Sequence, residues 1–204
     1  MGVSRGSEAA ELAATHFSED FLATIVVVPT HLADGGAIGP DAKDGDSAWS
    51  IHGQPVPAYS YAVDEKKAAQ AAAEPPGYNE TADMLGAWND PIINGKYAIP
   101  VERMTGPLLV LAAGADDLWP SWLSAERIRQ RFDAHGKSDR VEVHVYPGAG
   151  HPIFRLGRGG PAASFYFQPG FGFIAFGGLP NETCEASFDS FYRILDFLHR
   201  RTGR

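Results

Sequence analysis

Hydrophobic positions in this chain follow two periods, interrupted by one long stretch that follows neither. From Glu8 to Phe17, residues Ala10, Ala13, Ala14 and Phe17 fall on one face among good helix formers, which predicts a helix. The run "FLATIVVVPT" is β-branched, apolar without alternation and ended by Pro29, the pattern of a strand buried on both faces of a parallel sheet. "GPLLVLAAGADD" predicts a second such strand over Leu108 to Ala113, running into a turn that ends on Asp116 and Asp117. Ser121, Ala125, Ile128 and Phe132 recur at helical spacing and Gly136 supplies a stop, so a helix is expected over Ser121 to His135. "RVEVHVYPGAGH" predicts a third strand, Val141 to Tyr146, with a Gly-rich turn that presents His151. The last element carries Phe188, Phe191, Tyr192, Leu195 and Leu198 on one face and is expected to close on the sheet through them.

Between His31 and about Gly95 the periodicity is lost. Clusters such as "DGGAIGPDAKDGD", "GQPVPAYSY" and "AEPPGYNE" surround one Ala-rich helical piece from Asp64 to Ala73. An excursion of this size from a sheet is a cap-like insert, since loops that long in compact domains are usually functional. "RLGRGGPAASFYFQPGFGFIAFGG" is too rich in Gly and aromatics for assignment. The expected architecture is an α/β fold, one domain over residues 1–204, with a parallel sheet, flanking helices and a cap-like insert at about 31–95.

Composition narrows the partners. With 204 residues, a formal net charge of -8 and no basic run, the chain lacks the clustered Lys and Arg that nucleic acid or an anionic membrane surface requires. The longest apolar stretch, around Ile25 to Val28, is far short of a bilayer span. No secretory signal is visible and Cys184 is the single cysteine, so no internal disulfide can form and a cytoplasmic protein is expected. No HExxH or CxxC spacing suggests a metal, and "GRGG" follows no strand, which makes it a poor phosphate loop; no cofactor is expected.

The chemistry-bearing residues sit at the ends of the predicted strands. Gly2, Ser4 and Gly6 spell GxSxG, the nucleophile elbow that lifts a serine hydroxyl out of a strand-to-helix turn. Ser4, then Asp116 or Asp117, then His151 follow the chain order of an α/β-hydrolase, and each lies where open α/β sheets gather reacting groups. A serine hydroxyl becomes a nucleophile when a histidine takes its proton, and the histidine needs a carboxylate to hold its tautomer. The backbone N–H of Arg5 is the expected oxyanion donor; the loop supplying a second donor would precede residue 1. His16, His31, His52, His135, His144 and His199 have no such placement and read as surface or packing residues.

"GVSRGSE", "SIHGQPVP", "IPVERMTGPLLVLAAGADDLWPS", "YPGAGHPI" and "GGLPNETCEASFDSFYRILDFLHRR" together resemble the C-terminal domain of the acyl-CoA thioesterase and bile acid-CoA:amino acid N-acyltransferase family. The resemblance implies an α/β-hydrolase fold, close in architecture to dienelactone hydrolases, and an acyl-CoA substrate. It makes Ser4 the nucleophile, His151 the general base and Asp117, three residues after Gly114, the orienting acid, with Asp116 adjacent. Ser at position 4 resembles the hydrolysing members, with water as acyl acceptor. Trp49, Tyr59, Tyr61 and Trp88 then either line an acyl pocket or pin the insert to the body. The family's catalytic domain has strands before the elbow, so the chain is expected to be an N-terminally truncated form with impaired activity and an open sheet edge available for self-association. A carboxylesterase or dienelactone-hydrolase-like activity on small esters, and a non-catalytic association module, are the alternatives.

Overall fold

The computed structural model describes residues 1–35, 47–60, 63–155 and 163–202. Strand β1 (Gly2–Val3) leads directly into helix α1 (Arg5–His16), and β2 (Thr24–Val27) follows. The chain then leaves the sheet through a short antiparallel hairpin, β3 (Ser50–Ile51) and β4 (Gln54–Pro55), and three helices, α2 (Glu65–Ala71), α3 (Glu80–Asn89) and α4 (Pro91–Tyr97). It returns in β5 (Leu108–Ala113), crosses over through α5 (Ser121–Ala134) to β6 (Val141–Tyr146), forms the hairpin β7 (Phe165–Gln168) and β8 (Gly172–Ala175), and ends in α6 (Pro180–Thr202). The main sheet has the order β1-β2-β5-β6 with every pair parallel.

Both faces of that sheet are covered, which is why its central strands are uninterrupted apolar runs. Leu108, Val110 and Ala112 pack with Leu12 of α1 and with Ile128 and Phe132 of α5. Leu109, Leu111 and Ala113 point the other way, onto Ile153 and onto Ala186, Ile194 and Phe197 of α6. All six residues of β5 are inaccessible to solvent, and at about 1.5–3 kcal/mol per fully buried large aliphatic side chain this strand is the centre of the fold's stability.

The structure corrects the reading of α6. Phe188, Phe191, Tyr192, Leu195 and Leu198 face outward, with Tyr192 63% exposed. The face that meets the core carries Thr183, Ala186, Ser187, Ser190, Ile194 and Phe197. Small residues let the helix approach closely, and the Ser190 hydroxyl satisfies itself on the Ser187 carbonyl at 2.9 Å. A helix with two apolar stripes offers its bulkier one to periodicity, but close packing selects the slimmer.

The described residues of the cap-like insert hold more regular structure than its composition suggests. Asp64, Asn79 and Asp90 cap α2, α3 and α4 through their side chains, and Pro91 opens α4. Leu32, Met84, Trp88, Trp119 and Leu123 form a separate cluster that fastens α3 to α5. Trp88 is buried edge-on to His31 at 5.3 Å, Trp49 packs against the core beside α1, and Tyr59 meets Tyr97 at 5.8 Å. These three aromatics pin the insert; Tyr61 and the "GRGG" segment lie outside the described residues. Among the described residues no helix is long and apolar enough to cross a membrane.

Candidate active site

Ser4 occupies the single-residue turn between β1 and α1 at φ 53° and ψ −130°. A non-glycine residue in that region is strained by about 1–3 kcal/mol, and surrounding contacts must hold it there. The Ser4 N–H donates to the Val27 carbonyl at 2.9 Å, continuing the β1–β2 ladder by one residue. Its carbonyl accepts from the Ser7 N–H at 2.8 Å and the Ser7 hydroxyl at 2.6 Å. The two glycines of the motif differ. A Cβ on Gly2 would lie 2.0 Å from the Gly6 carbonyl oxygen, so strand and helix can cross this closely only with glycine there, whereas a Cβ on Gly6 would meet nothing within 4 Å.

His151, at the end of the turn after β6, brings Nε2 to 2.9 Å from Ser4 Oγ across 147 residues of sequence. Its Nδ1 lies 3.1 and 3.0 Å from the two carboxylate oxygens of Asp116. An ionised carboxylate accepts only, so Nδ1 carries the proton and Nε2 is left to accept from the serine. Of the two turn carboxylates, Asp116 meets the histidine, and Asp117, which the resemblance marks as the acid, does not. Asp117 points away from the histidine and takes the side-chain N–H of Asn79 at 2.6 Å; burial and the neighbouring Asp116 raise its pKa. Asp116 is buried, and it also accepts from Leu118 N–H at 3.1 Å, Trp119 N–H at 3.3 Å and the Ser121 hydroxyl at 2.7 Å. A carboxylate at the first position of such a turn folds back onto the backbone beyond it, and this inward fold aims it at His151.

The histidine is boxed by rings. Trp119 stands edge-on at 5.2 Å, Phe154 edge-on at 5.8 Å, and Phe176 stacks at 5.9 Å. Trp119 is itself held by its indole N–H on the Val28 carbonyl at 3.1 Å, and Val28 has φ 47°, a second strained residue at the end of a sheet strand.

The end of the segment left unassigned from sequence, Phe176 and Gly177, braces the site. The Phe176 carbonyl, just past β8, accepts from both the His151 N–H at 2.8 Å and the Asp117 N–H at 3.3 Å. Gly177, at φ 70°, passes so near the acid turn that a Cβ would lie 2.0 Å from the Ala115 carbonyl oxygen. From the insert, the Thr81 hydroxyl donates to the Asp116 carbonyl at 2.8 Å and its N–H to the Asp117 carbonyl at 3.1 Å. Hairpin and insert thus brace the acid and histidine turns from two sides. The "FGG" after an aromatic run was the visible signal.

Arg5 is the first residue of α1, where a helix N–H has no intrahelical acceptor. Beneath it, burial pushes Glu8 up to about 7 and Asp34 up to about 6, and drives Glu11 well above the usual carboxylate range. Elsewhere, burial lowers His31 to about 4; its ring lies between Ser124 Oγ at 3.0 Å and Asn94 Oδ1 at 2.8 Å. Among the described residues no group of three or more His, Cys, Asp or Glu is placed to hold a metal ion.

A strained serine after a parallel strand, a histidine and a buried carboxylate in hydrogen-bonded series are the arrangement an acyl-transfer hydrolase requires. The family model described as BAAT / Acyl-CoA thioester hydrolase C terminal matches residues 1–204. The chain belongs to this family. It is 27% identical to acyl-coenzyme A thioesterase 1 of Mus musculus over 100% of its own length and 43% of that protein's. To the mitochondrial acyl-coenzyme A thioesterase 2 of Mus musculus it is 28% identical, over 100% of this chain and 40% of that one. With acyl-coenzyme A thioesterase 1 of Rattus norvegicus it shares 33% identity over 59% of this chain and 28% of the relative. The chain therefore spans less than half the length of these relatives.

Proposed function

We propose that the chain carries the catalytic centre of an acyl-CoA thioester hydrolase, with Ser4 as nucleophile, His151 as general base and Asp116 as the orienting acid. The observation that carries this reading is the continuous series Asp116–His151–Ser4 at 3.0 and 2.9 Å in a chain of this family. Ser4 Oγ attacks the thioester carbonyl carbon while His151 Nε2 takes its proton. The Arg5 N–H faces the oxyanion that forms. Collapse of the tetrahedral intermediate breaks the C–S bond, and the imidazolium returns its proton to the departing CoA sulfur. Water, deprotonated by the same nitrogen, then attacks the acyl-serine; collapse breaks the ester C–O bond, the imidazolium returns its proton to Ser4 Oγ, and the carboxylic acid is released. Asp116 keeps its charge throughout and stabilises the imidazolium.

A fluorophosphonate probe tests the centre without requiring turnover. Stoichiometric labelling of Ser4, lost in Ser4→Ala, supports the reading; no labelling of well-folded protein sinks it and favours an association module. Rates on acyl-CoA and p-nitrophenyl esters, measured side by side, separate a thioesterase from an esterase of small esters.

A further inference from the structure

The buried face of α1 carries carboxylates that the reaction does not consume. Glu8, one turn beyond Ser4, has no solvent-accessible surface. Its Oε1 accepts from the Asp34 N–H at 2.8 Å, and its Oε2 lies 3.4 Å from Arg5 Nη1. That same guanidinium nitrogen donates to the Gly35 carbonyl at 3.1 Å, while Nη2 lies 4.0 Å from Asp34 Oδ2. One carboxylate therefore joins the residue that follows the serine to a backbone segment beyond β2. A buried charge of this kind is costly unless paired, so the network holds only in the geometry that satisfies every member.

We propose that Glu8 is a positioning residue for the serine turn: by gripping both Arg5 and the Asp34 N–H, it fixes the Arg5 amide and Ser4 against the segment after β2. This rests on reading Ser4 as the nucleophile. The charged groups that face Glu8 are Arg5 and Glu11 from α1 and Asp34 from the segment after β2; the Trp49 indole approaches from the insert. Because burial raises Glu8 to about 7, the charge that grips Arg5 forms within the neutral range.

The test combines fluorophosphonate labelling rates from pH 6 to 9 with amide hydrogen exchange, in the unmodified chain, Glu8→Gln and Glu8→Ala. Glu8→Ala is expected to label about 10–100-fold slower, the penalty of a serine turn displaced by a fraction of an ångström. Glu8→Gln keeps an acceptor for Asp34 and is expected to lose about 3–10-fold, with the step near pH 7 removed from its rate profile. In Glu8→Ala the Asp34 amide should exchange at least about 10-fold faster while β5 amides keep their protection. Labelling within twofold in both variants, or protection lost equally throughout β5, overturns the proposal. If the unmodified chain is unlabelled while Glu8→Ala still frees the Asp34 amide, the nucleophile reading has failed and the anchor remains.

Discussion

Two buried histidines in this molecule stand between a serine and a second polar side chain, and only one has the makings of a catalyst. His151 places Nε2 on Ser4 and Nδ1 on Asp116; His31 places Nδ1 on Ser124 and Nε2 on Asn94. Asn94 donates its side-chain N–H groups to the Trp88 and Asp90 carbonyls, which leaves its oxygen for His31 and makes Nε2 the protonated nitrogen. Ser124 then donates to Nδ1. The partner types nearly match, but a neutral amide cannot stabilise an imidazolium as Asp116 can. Ser124 is wholly buried within α5, whereas Ser4 is half-buried on a strained turn. Burial and hydrogen-bond partners alone do not define a catalytic histidine; the charge behind it and the access in front do.

With the fold left intact, the largest expected effect comes from removing that charge. Asp116→Asn should slow probe labelling of Ser4 by about 10³–10⁴-fold, because an amide there favours the wrong tautomer of His151. Asp117→Asn, read in the same assay, should stay within a few-fold. Equal losses in the two variants would return the acid to Asp117 or to both.

His31 should show the reverse profile, with stability affected and chemistry spared. Its folded-state pKa of about 4 lies below its ordinary value of 6.5, so the stability it contributes is present above pH 6.5 and is lost as pH falls through 4. The loss is on the order of 3 kcal/mol. Glu8 and Asp34 act in the opposite sense: their raised values, about 7 and 6, mean that their contribution is present below about pH 4 and is lost as pH rises through 6 to 7. Between about pH 4 and 6 the raised carboxylates outweigh the single histidine, so urea midpoints should fall as pH rises, and His31→Gln should steepen that fall while Ser4 labelling stays within a few-fold. An unchanged slope in His31→Gln would show that another group dominates there.

The two glycines of the elbow sharpen the comparison at the backbone. Gly2→Ala forces α1 off the strand and should abolish labelling along with much of the fold's stability, as judged by thermal melting. Gly6→Ala, in open space on α1, should be the mildest change, neutral or stabilising by up to about 1 kcal/mol.

Elements whose identity depends on their own residues were readable directly. β5 and β6 coincide with the expected Leu108–Ala113 and Val141–Tyr146, and α5 differs from expectation by a single residue at its end. α3 and α4 escaped detection because Gly86 and Gly95 dilute their periodicity, although Asn79, Asp90 and Pro91 were usable start signals. The hairpin β7–β8 escaped because it pairs with a segment distant in sequence, through the Tyr78 N–H on the Phe173 carbonyl at 2.9 Å and the Ala175 N–H on the Tyr78 carbonyl at 2.9 Å.

By itself, then, the chain of residues determined three of the parallel strands (β2, β5 and β6), the helices α1, α5 and α6, and the three turns that offer Ser4, the Asp116–Asp117 pair and His151. Those are consequences of local pattern: period, turn chemistry and the end of an apolar run. Only tertiary structure decided which aspartate meets the histidine, which stripe of α6 faces the core and what steadies those turns. Adjacent residues in a turn point in different directions, two apolar stripes compete for one surface, and a carbonyl such as that of Phe176 finds its donors across the fold. None of these is a property of neighbouring residues; each is settled by close packing among segments that meet only when the chain is folded.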